Sequence, residues 1–461
     1  MRWTFAYLLA VGLLPLGFAS RASAMTYTVR LDGSGNFSAI QPAIDACSAG
    51  DTVLVGPGTY AGAANRDLDF HGVDLVLLSE LGRDQTEIDC EEAGRGFYLH
   101  SGETLAAAIA GFSVRNAFVD IANGGGLYCT NASISLLHSR FASCYAGHGG
   151  GVTIGTGSGH IDDCEFVNCH GLATGGALVV AASATADIHN TVFESNSAGE
   201  GGALRVTTSA LTITDCTFDS NLDAGDGGAI SLDLNSTATI AGTTFVGNHG
   251  YNGGAIALYR TPDVTISNCW FEGNSAGNKG GAIWYESSST PPPTAPTIEG
   301  CLFLGNGAEG GGAIGLWLNA SLHIARCSFV GNSESGEGGG AIRCDNASSP
   351  TIEQVLIVEN PGGGIFTRLG SEPVLSCCDV WDNPGGNFTG EMVDPTGSDG
   401  NISMDPMLCL DLNPSNPYTL RADSPCAPTG NDCGVQIGAF GVGCDVVATE
   451  DTSWSAVKSR Y

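Results

Sequence analysis

The apolar and polar positions of this chain repeat as a unit. Phe-x-x-Asn is followed by Gly-Gly-Ala-Ile or Gly-Gly-Ala-Leu, as in Phe245-Val246-Gly247-Asn248 and then Gly253-Gly254-Ala255-Ile256. The aliphatic residue after the glycines marks each unit: Leu127, Val152, Leu178, Leu204, Ile230, Ile256, Ile283, Ile314, Ile342 and Ile365. The gaps between markers are 25, 26, 26, 26, 26, 27, 31, 28 and 23 residues. One such unit cannot bury its own apolar face, so the spacing predicts a solenoid in which each unit is one turn.

Each unit predicts two or three short strands: one after the glycines, one entering the Phe, and a short third. Asn196, Asn221, Asn248, Asn274, Asn306, Asn332, Asn360 and Asn383 stand three residues after the Phe or its aliphatic substitute. Stacked amides of this kind hydrogen-bond from coil to coil as a ladder, and Asn also tolerates the left-handed backbone of a sharp corner. The 31-residue unit contains Ser287 to Pro296, with Pro291-Pro292-Pro293, and this insert is expected to leave the stack as a loop. Ahead of the repeats, Thr26 to Leu31 and Thr52 to Val55 read as strands. Between them Ile40, Ala43, Ile44 and Cys47 lie on one face of a short helix that Ser38 can cap, and this helix is expected to cover the first coil. Irregular coils follow to residue 123, with strand-like runs at Val73 to Leu78, Gly96 to His100 and Ile109 to Val114.

These positions divide the chain into five stretches. Residues 1–24 read as a leader: Arg2, the apolar run Phe5 to Phe18, and Ala22-Ser23-Ala24 before Met25. Residues 25–123 hold the cap and first coils, 124–390 the regular repeats, 391–448 a closing segment and 449–461 a polar tail. The run in the leader is too short for a membrane span, and no later stretch is apolar enough for one. The expectation is a bacterial protein exported to the medium or the cell surface.

The cap and the repeats each resemble a known group. Asp32-Gly33-Ser34-Gly35, Ile40-Gln41-Pro42-Ala43-Ile44, Gly50-Asp51-Thr52-Val53 and Pro57-Gly58-Thr59-Tyr60 resemble, in this order, the start of the pectin-lyase-like superfamily, pectin methylesterases in particular. The resemblance covers residues 32–60 and implies an all-β, right-handed parallel β-helix with an N-terminal capping helix. The Gly-Gly-Ala-Ile units with Phe-x-x-Asn, over roughly residues 111–390, resemble the repeats of polymorphic outer-membrane proteins, which are adhesin-like. Such repeats usually precede a membrane β-barrel, for which residues 391–461 are too few.

Composition narrows the partners. Gly accounts for 68 of 461 residues without a three-residue register, so the glycines serve repeated turns. A formal charge of -31 excludes nucleic acid as the expected partner, because phosphate binding needs Lys and Arg. The seventeen cysteines leave at least one unpaired. Cys164, Cys216, Cys269, Cys301 and Cys327 each precede the repeat's Phe by two residues, which predicts a buried row of small side chains. Coils about 4.8 Å apart would let Cys301–Cys327 close as a disulfide. Cys144 and Cys169, standing where later coils have Asn, form another possible pair. Cys409, Cys426, Cys433 and Cys444 could staple the closing segment in three ways. A zinc site at Cys144, Cys164, Cys169 and His170 is not expected, since no Cys-x2-Cys pair accompanies them.

Candidate chemistry lies on the strand after the glycines. Counting the marker as inward, the outward residues include Arg205, Thr207, Asp233, Tyr259, Trp284, Glu286, Trp317, Arg343, Asp345, Phe366 and Arg368. Aromatic rings beside carboxylates and Arg suit a sugar polymer: rings pack on pyranose faces while charged groups bind hydroxyls or uronates. Asp233, Tyr259, Trp284, Glu286, Trp317, Arg343 and Asp345 are therefore the candidate ligand-binding residues. Glu286 and Asp345, two coils or roughly 10 Å apart on strand spacing, with Arg343, are the candidate catalytic set of an alternative reading.

Catalytic motifs of the resembled families are absent. The Gln-Asp-Thr-Leu and Asp-Phe-Ile-Phe-Gly strings of pectin methylesterases are missing. Gly147-His148-Gly149 matches a polygalacturonase motif without its flanking elements and reads as a glycine corner. Calcium is a possible cofactor through Asp233 and Asp345, although the repeat lacks Gly-Gly-x-Gly-x-Asp. The sequence thus favours a non-catalytic, monomeric β-helix that binds extracellular polysaccharide or a cell-surface component. A polysaccharide lyase or hydrolase acting on acidic polysaccharide is the alternative, and a structural surface-layer element the second alternative.

Overall fold

A computed structural model describes residues 24–233, 235–261, 263–287, 294–336, 338–410, 412–413 and 415–444. The leader segment up to residue 23, the polar tail 449–461 and positions 288–293 of the proline insert lie outside the described residues.

The chain winds as a parallel β-helix. Among the described residues its strands stack into sheets of 14, 13, 12 and 8 strands, each strand hydrogen-bonded to the equivalent strand one coil away. The marker residues pair in register: Leu204 with Ile230, Ile230 with Ile256, Ile256 with Ile283, and Ile283 with Ile314. The marker strands at both ends of the 31-residue unit keep this register. The run entering the Phe forms two strands rather than one. Thr237–Ala241 and Thr244–Val246 are separated by Gly242, which has φ +60°.

Glycine is required at two successive corner positions. Gly253 has φ +63°, and a Cβ there would strike the backbone of Ile256. At Gly254 a Cβ would enter the carbonyl oxygen of Gly281 in the next coil. The double glycine therefore bends the chain into the marker strand and lets consecutive corners touch.

The interior is organised in columns. Phe141, Phe166, Phe193, Phe218, Phe245, Phe271, Phe303 and Phe329 are fully buried, with consecutive ring centres 4.5–5.3 Å apart and nearly parallel. Full burial of one such ring contributes about 1.5–3 kcal/mol.

Beside them runs the predicted Asn ladder. The backbone N–H and Nδ2 of Asn221 both donate to Asn248 Oδ1, at 3.0 and 2.9 Å, and Nδ2 also donates to the Phe193 carbonyl at 2.9 Å. The left-handed corner residue is the one before the ladder Asn (Ser195, Ser220 and Gly247 among them), not the Asn itself.

The thiol row is buried as expected, but Cys301 and Cys327 do not join. Cys269 N–H and Cys301 N–H point at the sulfurs of Cys301 and Cys327, 3.4 and 3.5 Å away. Cys164 and Cys216 N–H likewise donate to Thr191 and Thr243 hydroxyls, so thiol and hydroxyl share one hydrogen-bonded column. Cys144 and Cys169 are also free; their thiols donate to carbonyls one coil back, the bond that the Asn amides make elsewhere. The bridges present are Cys377–Cys433 and Cys409–Cys444, so only one of them lies wholly within the expected set of four.

The cap helix spans Ile40–Ile44 and buries Ile40, Ala43 and Ile44. Ser38 does not cap it; the Ile40 N–H is taken by Asn65 Oδ1 at 2.8 Å, from the following coil. At the other end the closing segment folds back along the flank. Leu420, Cys426 and Ile437 form a second core with Leu302, Val330, Leu356 and Val358 on the outer side of the Phe-bearing sheet. Among the described residues no helix is long and apolar enough to cross a membrane.

Candidate functional site

Two outward columns on the twelve-stranded marker sheet carry the candidate residues. In one, Ser231, Ala257, Trp284, Gly315 and Arg343 are successive register partners. In the other, Thr207, Asp233, Tyr259, Glu286 and Trp317 follow one another. Inward neighbours such as Leu232, Leu258 and Tyr285 are fully buried, so strand alternation holds the outward groups on a rigid face.

Asp233, Tyr259, Trp284 and Glu286 come together in one cleft of about 400 Å³. Its remaining charged groups are Glu200, Arg205 and Asp226. Arg205 holds Asp233 in an ion pair, reaches Glu200 at 2.9 Å and donates to Ser231 Oγ at 2.5 Å. Asp233 is 9% exposed, and its Oδ1 is buried with no hydrogen-bond partner. Asp226 accepts from Asn252 Nδ2 at 2.9 Å.

Burial raises the carboxyls of both Asp226 and Glu286 above the ordinary range. The Asn252 amide opposes this at Asp226, and the Arg260 guanidinium opposes it at Glu286. One cationic side chain thus faces four carboxyl groups in a confined space, which favours a bound proton or cation.

A second cleft of about 240 Å³ has the opposite character, lined by Lys279, Arg343, Arg368, Asn278 and Glu309. Lys279 Nζ lies 4.0 Å from the centre of the Trp317 ring. Burial is the main influence lowering the Lys279 pKa. Because Trp317 is the register partner of Glu286, this Lys–Trp pair joins the basic cleft to the acidic one.

Four of the residues expected on the surface are buried: Asp233, Trp284, Arg343 and Asp345. Asp345 is 0% exposed, with Arg343 Nε on Oδ2 at 2.9 Å and Arg368 Nε on Oδ1 at 2.5 Å. Its carboxylate has drawn two guanidinium groups over itself, so it does not face Glu286 as an open partner. Trp284, expected as an exposed platform, is 6% exposed. Its register neighbours Ala257 and Gly315 are small, and it forms a wall of the acidic cleft.

Sequence reasoning missed Glu200, Asp226, Asn252 and Lys279. All four occupy the position immediately before the double glycine, as His148 and Thr174 do in earlier coils. Asp226 pairs with Asn252 and Asn252 with Lys279, which makes a third column beside the marker strand. Polar residues recurring at that fixed position were the available signal. His148 and His170, by contrast, meet Thr174 and Ser197 hydroxyls at 2.9 and 2.8 Å.

A stacked parallel solenoid with a charged, aromatic-walled groove on one sheet defines an extended β-helix with a surface cleft. The right handed beta helix region family matches residues 91–226 and 174–329, more than half of the chain, and the chain belongs to that family. The right-handed parallel β-helix implied by residues 32–60 is therefore the fold.

Solved structures similar to the chain include the A-module of the mannuronan C-5 epimerase AlgE4 of Azotobacter vinelandii. That match has 15% identity and TM-score 0.40, covering 79% of this chain and 95% of that one. The catalytic domain of a GH87 alpha-1,3-glucanase matches at 12% identity and TM-score 0.42, covering 81% and 69%. Pectate lyase Pel9A matches at 13% identity and TM-score 0.33, covering 92% and 97%. These likenesses concern the fold. No curated protein sequence matches the chain.

Proposed function

We propose that the protein is an exported, monomeric β-helix that binds an acidic extracellular polysaccharide along the marker-sheet groove. One observation carries the reading: the Lys279–Trp317 pair joins a cleft bearing Lys279, Arg343 and Arg368 to one bearing Glu200, Asp226 and Glu286. Cationic groups beside an aromatic ring bind uronate carboxylates and sugar faces, and the neighbouring carboxylates accept from sugar hydroxyls. Two disulfides support an oxidising compartment, and export rests on residues 1–24. The adhesin-like resemblance of the repeats fits the same reading. The test is co-sedimentation with insoluble plant, algal and bacterial polysaccharides; the reading expects retention on uronate-rich polymers and loses its support if only neutral glucans retain the protein.

A second reading is favoured by Asp226 and Glu286, whose carboxyls are both raised by burial within one cleft. Such a pair can hold one proton and act as acid and base in cleaving a polysaccharide chain. Calcium fits this cleft better than the Asp233/Asp345 pair, since oxygen donors suit it and Asp233 Oδ1 lacks a partner. New reducing ends or unsaturated uronates that vanish in Glu286→Gln would select this reading over simple binding.

A further inference from the structure

The fourteen-stranded sheet carries a cluster that the groove does not use. His160 lies on the strand Ser158–Asp162, and Asp187 and His189 lie on the next strand, Thr185–His189. His160 is the register partner of Asp187, and Asp162 that of His189. Ile161 and Ile188 point into the core, so alternation sends His160, Asp187 and His189 outward together. His189 Nε2 is 2.9 Å from Asp187 Oδ1, and His160 Nδ1 is 3.5 Å from Asp187 Oδ2. The two imidazoles therefore meet opposite oxygens of one carboxylate. Ligand atoms from all three side chains lie within 4.8 Å of one another.

We propose that His160, Asp187 and His189 form a binding site for one divalent transition-metal ion of the zinc, cobalt or nickel class. Two imidazole nitrogens and one carboxylate oxygen are the donor set such ions prefer, whereas calcium and magnesium select oxygen alone. The three residues project from paired strands of a continuous stack, so the backbone is already in place. Binding needs only side-chain rotation to bring the donors to about 2.0–2.2 Å from the ion.

Three protein donors leave further coordination positions for water or another ligand. Asp187 also lines a trough of about 560 Å³. Its column continues through Thr212, Thr239, Thr265 and Thr297, which line the same trough. The proposed ion stands at the end of this row of hydroxyls.

The site differs from the other His–Asp contacts. His138 meets Asp163 at 2.7 Å as a single pair that Arg83 also shares. His71 contacts Asp45 at 3.2 Å and Asp69 Oδ2 at 3.0 Å, and His100 meets that same Oδ2 at 3.5 Å, so the two imidazoles there share one oxygen instead of taking opposite oxygens of one carboxylate.

The test uses the full-length chain without a histidine tag, titrated with Co²⁺ while visible absorption is followed, and with Zn²⁺ by calorimetry. The proposal expects one ion per chain and d–d bands of imidazole-ligated cobalt. His160→Ala and His189→Ala should each weaken binding at least about tenfold, while His71→Ala and His138→Ala leave it unchanged. Unchanged thermal unfolding of the ion-free variants shows that the fold is retained at these half-buried positions. Absence of saturable binding, or binding that survives both His160→Ala and His189→Ala, overturns the proposal. So does binding lost only in His71→Ala.

Discussion

Lys279 Nζ stands 4.0 Å above the centre of the Trp317 ring, at the join between the two oppositely charged clefts of the marker sheet. The contact places a cation against an aromatic face and keeps both beside Arg343 and Arg368. A polymer carrying carboxylates meets its counter-charge and its stacking surface at one point.

Trp317→Ala removes that surface and the contact that holds Lys279. A cation–π contact and a ring platform together are worth about 1 kcal/mol, so affinity for a uronate oligosaccharide should fall about fivefold. Calorimetry against the same oligosaccharide reads the change, and thermal unfolding should stay near that of the parent because Trp317 is outside the core.

Asp345 pairs with two arginines, one of them itself buried, and leaves one unit of positive charge on the group. Asp345→Ala removes the buried carboxylate that meets Arg343 Nε, and breaking a buried pair from one side costs about 3–5 kcal/mol. Denaturant unfolding should show a loss of this order. A loss near zero would mean that solvent already screens both guanidinium groups.

The Asn ladder makes a comparable claim in the interior. Asn248 Oδ1 accepts two bonds from Asn221, while Asn248 Nδ2 donates to Phe218 O and Asn274 Oδ1. Asn248→Ala takes the acceptor from the Asn221 N–H and the Nδ2 donor from Phe218 O, while Asn274 Oδ1 keeps the Asn248 N–H; each buried group left unsatisfied costs about 1–3 kcal/mol. Amide hydrogen exchange should accelerate at Asn221 and in the coils on either side, with coils near Val53 unaffected.

Two buried carboxyls set a pH dependence. Burial pushes Asp223 to about 7 and Asp379 to about 6, against 3.8 in the unfolded chain. Above pH 7 both are ionised in either state, and their burial weakens the fold. As pH falls from 7 towards 4 the folded protein takes up protons that the unfolded chain does not, so stability rises. The slope is at most about 1.4 kcal/mol per pH unit for each group, and the rise ends near the unfolded value. Melting temperature measured from pH 8 to pH 4 should climb on acidification, and Asp223→Asn should flatten the upper part of the curve.

Much of this was legible in the chain. The marker residues gave the register because a parallel stack repeats one position per coil, and Ile230, Ile256 and Ile283 pair as spaced. The Asn ladder followed from the same logic. Alternation also identified Asp233, Tyr259, Trp284 and Glu286 as one outward group. It could not reveal that Asp345 would be covered, because that depends on how Arg343 and Arg368 fold over it. Nor did period-two reasoning reach Glu200, Asp226 and Lys279, which sit at the glycine corner where the strand pattern has not begun. The bridge from Cys377 to Cys433 joins residues far apart in the chain, and no local spacing predicts it.

The most direct measurement compares the affinity of the protein for one uronate oligosaccharide with that for its carboxyl-reduced, neutral counterpart, in parent and Lys279→Glu chains. Binding by way of the basic cleft predicts a marked preference of the parent for the charged sugar, and the loss of that preference in Lys279→Glu. Equal affinity for both sugars, or a preference that survives Lys279→Glu, would contradict the assignment of the marker-sheet groove as an acidic-polysaccharide site.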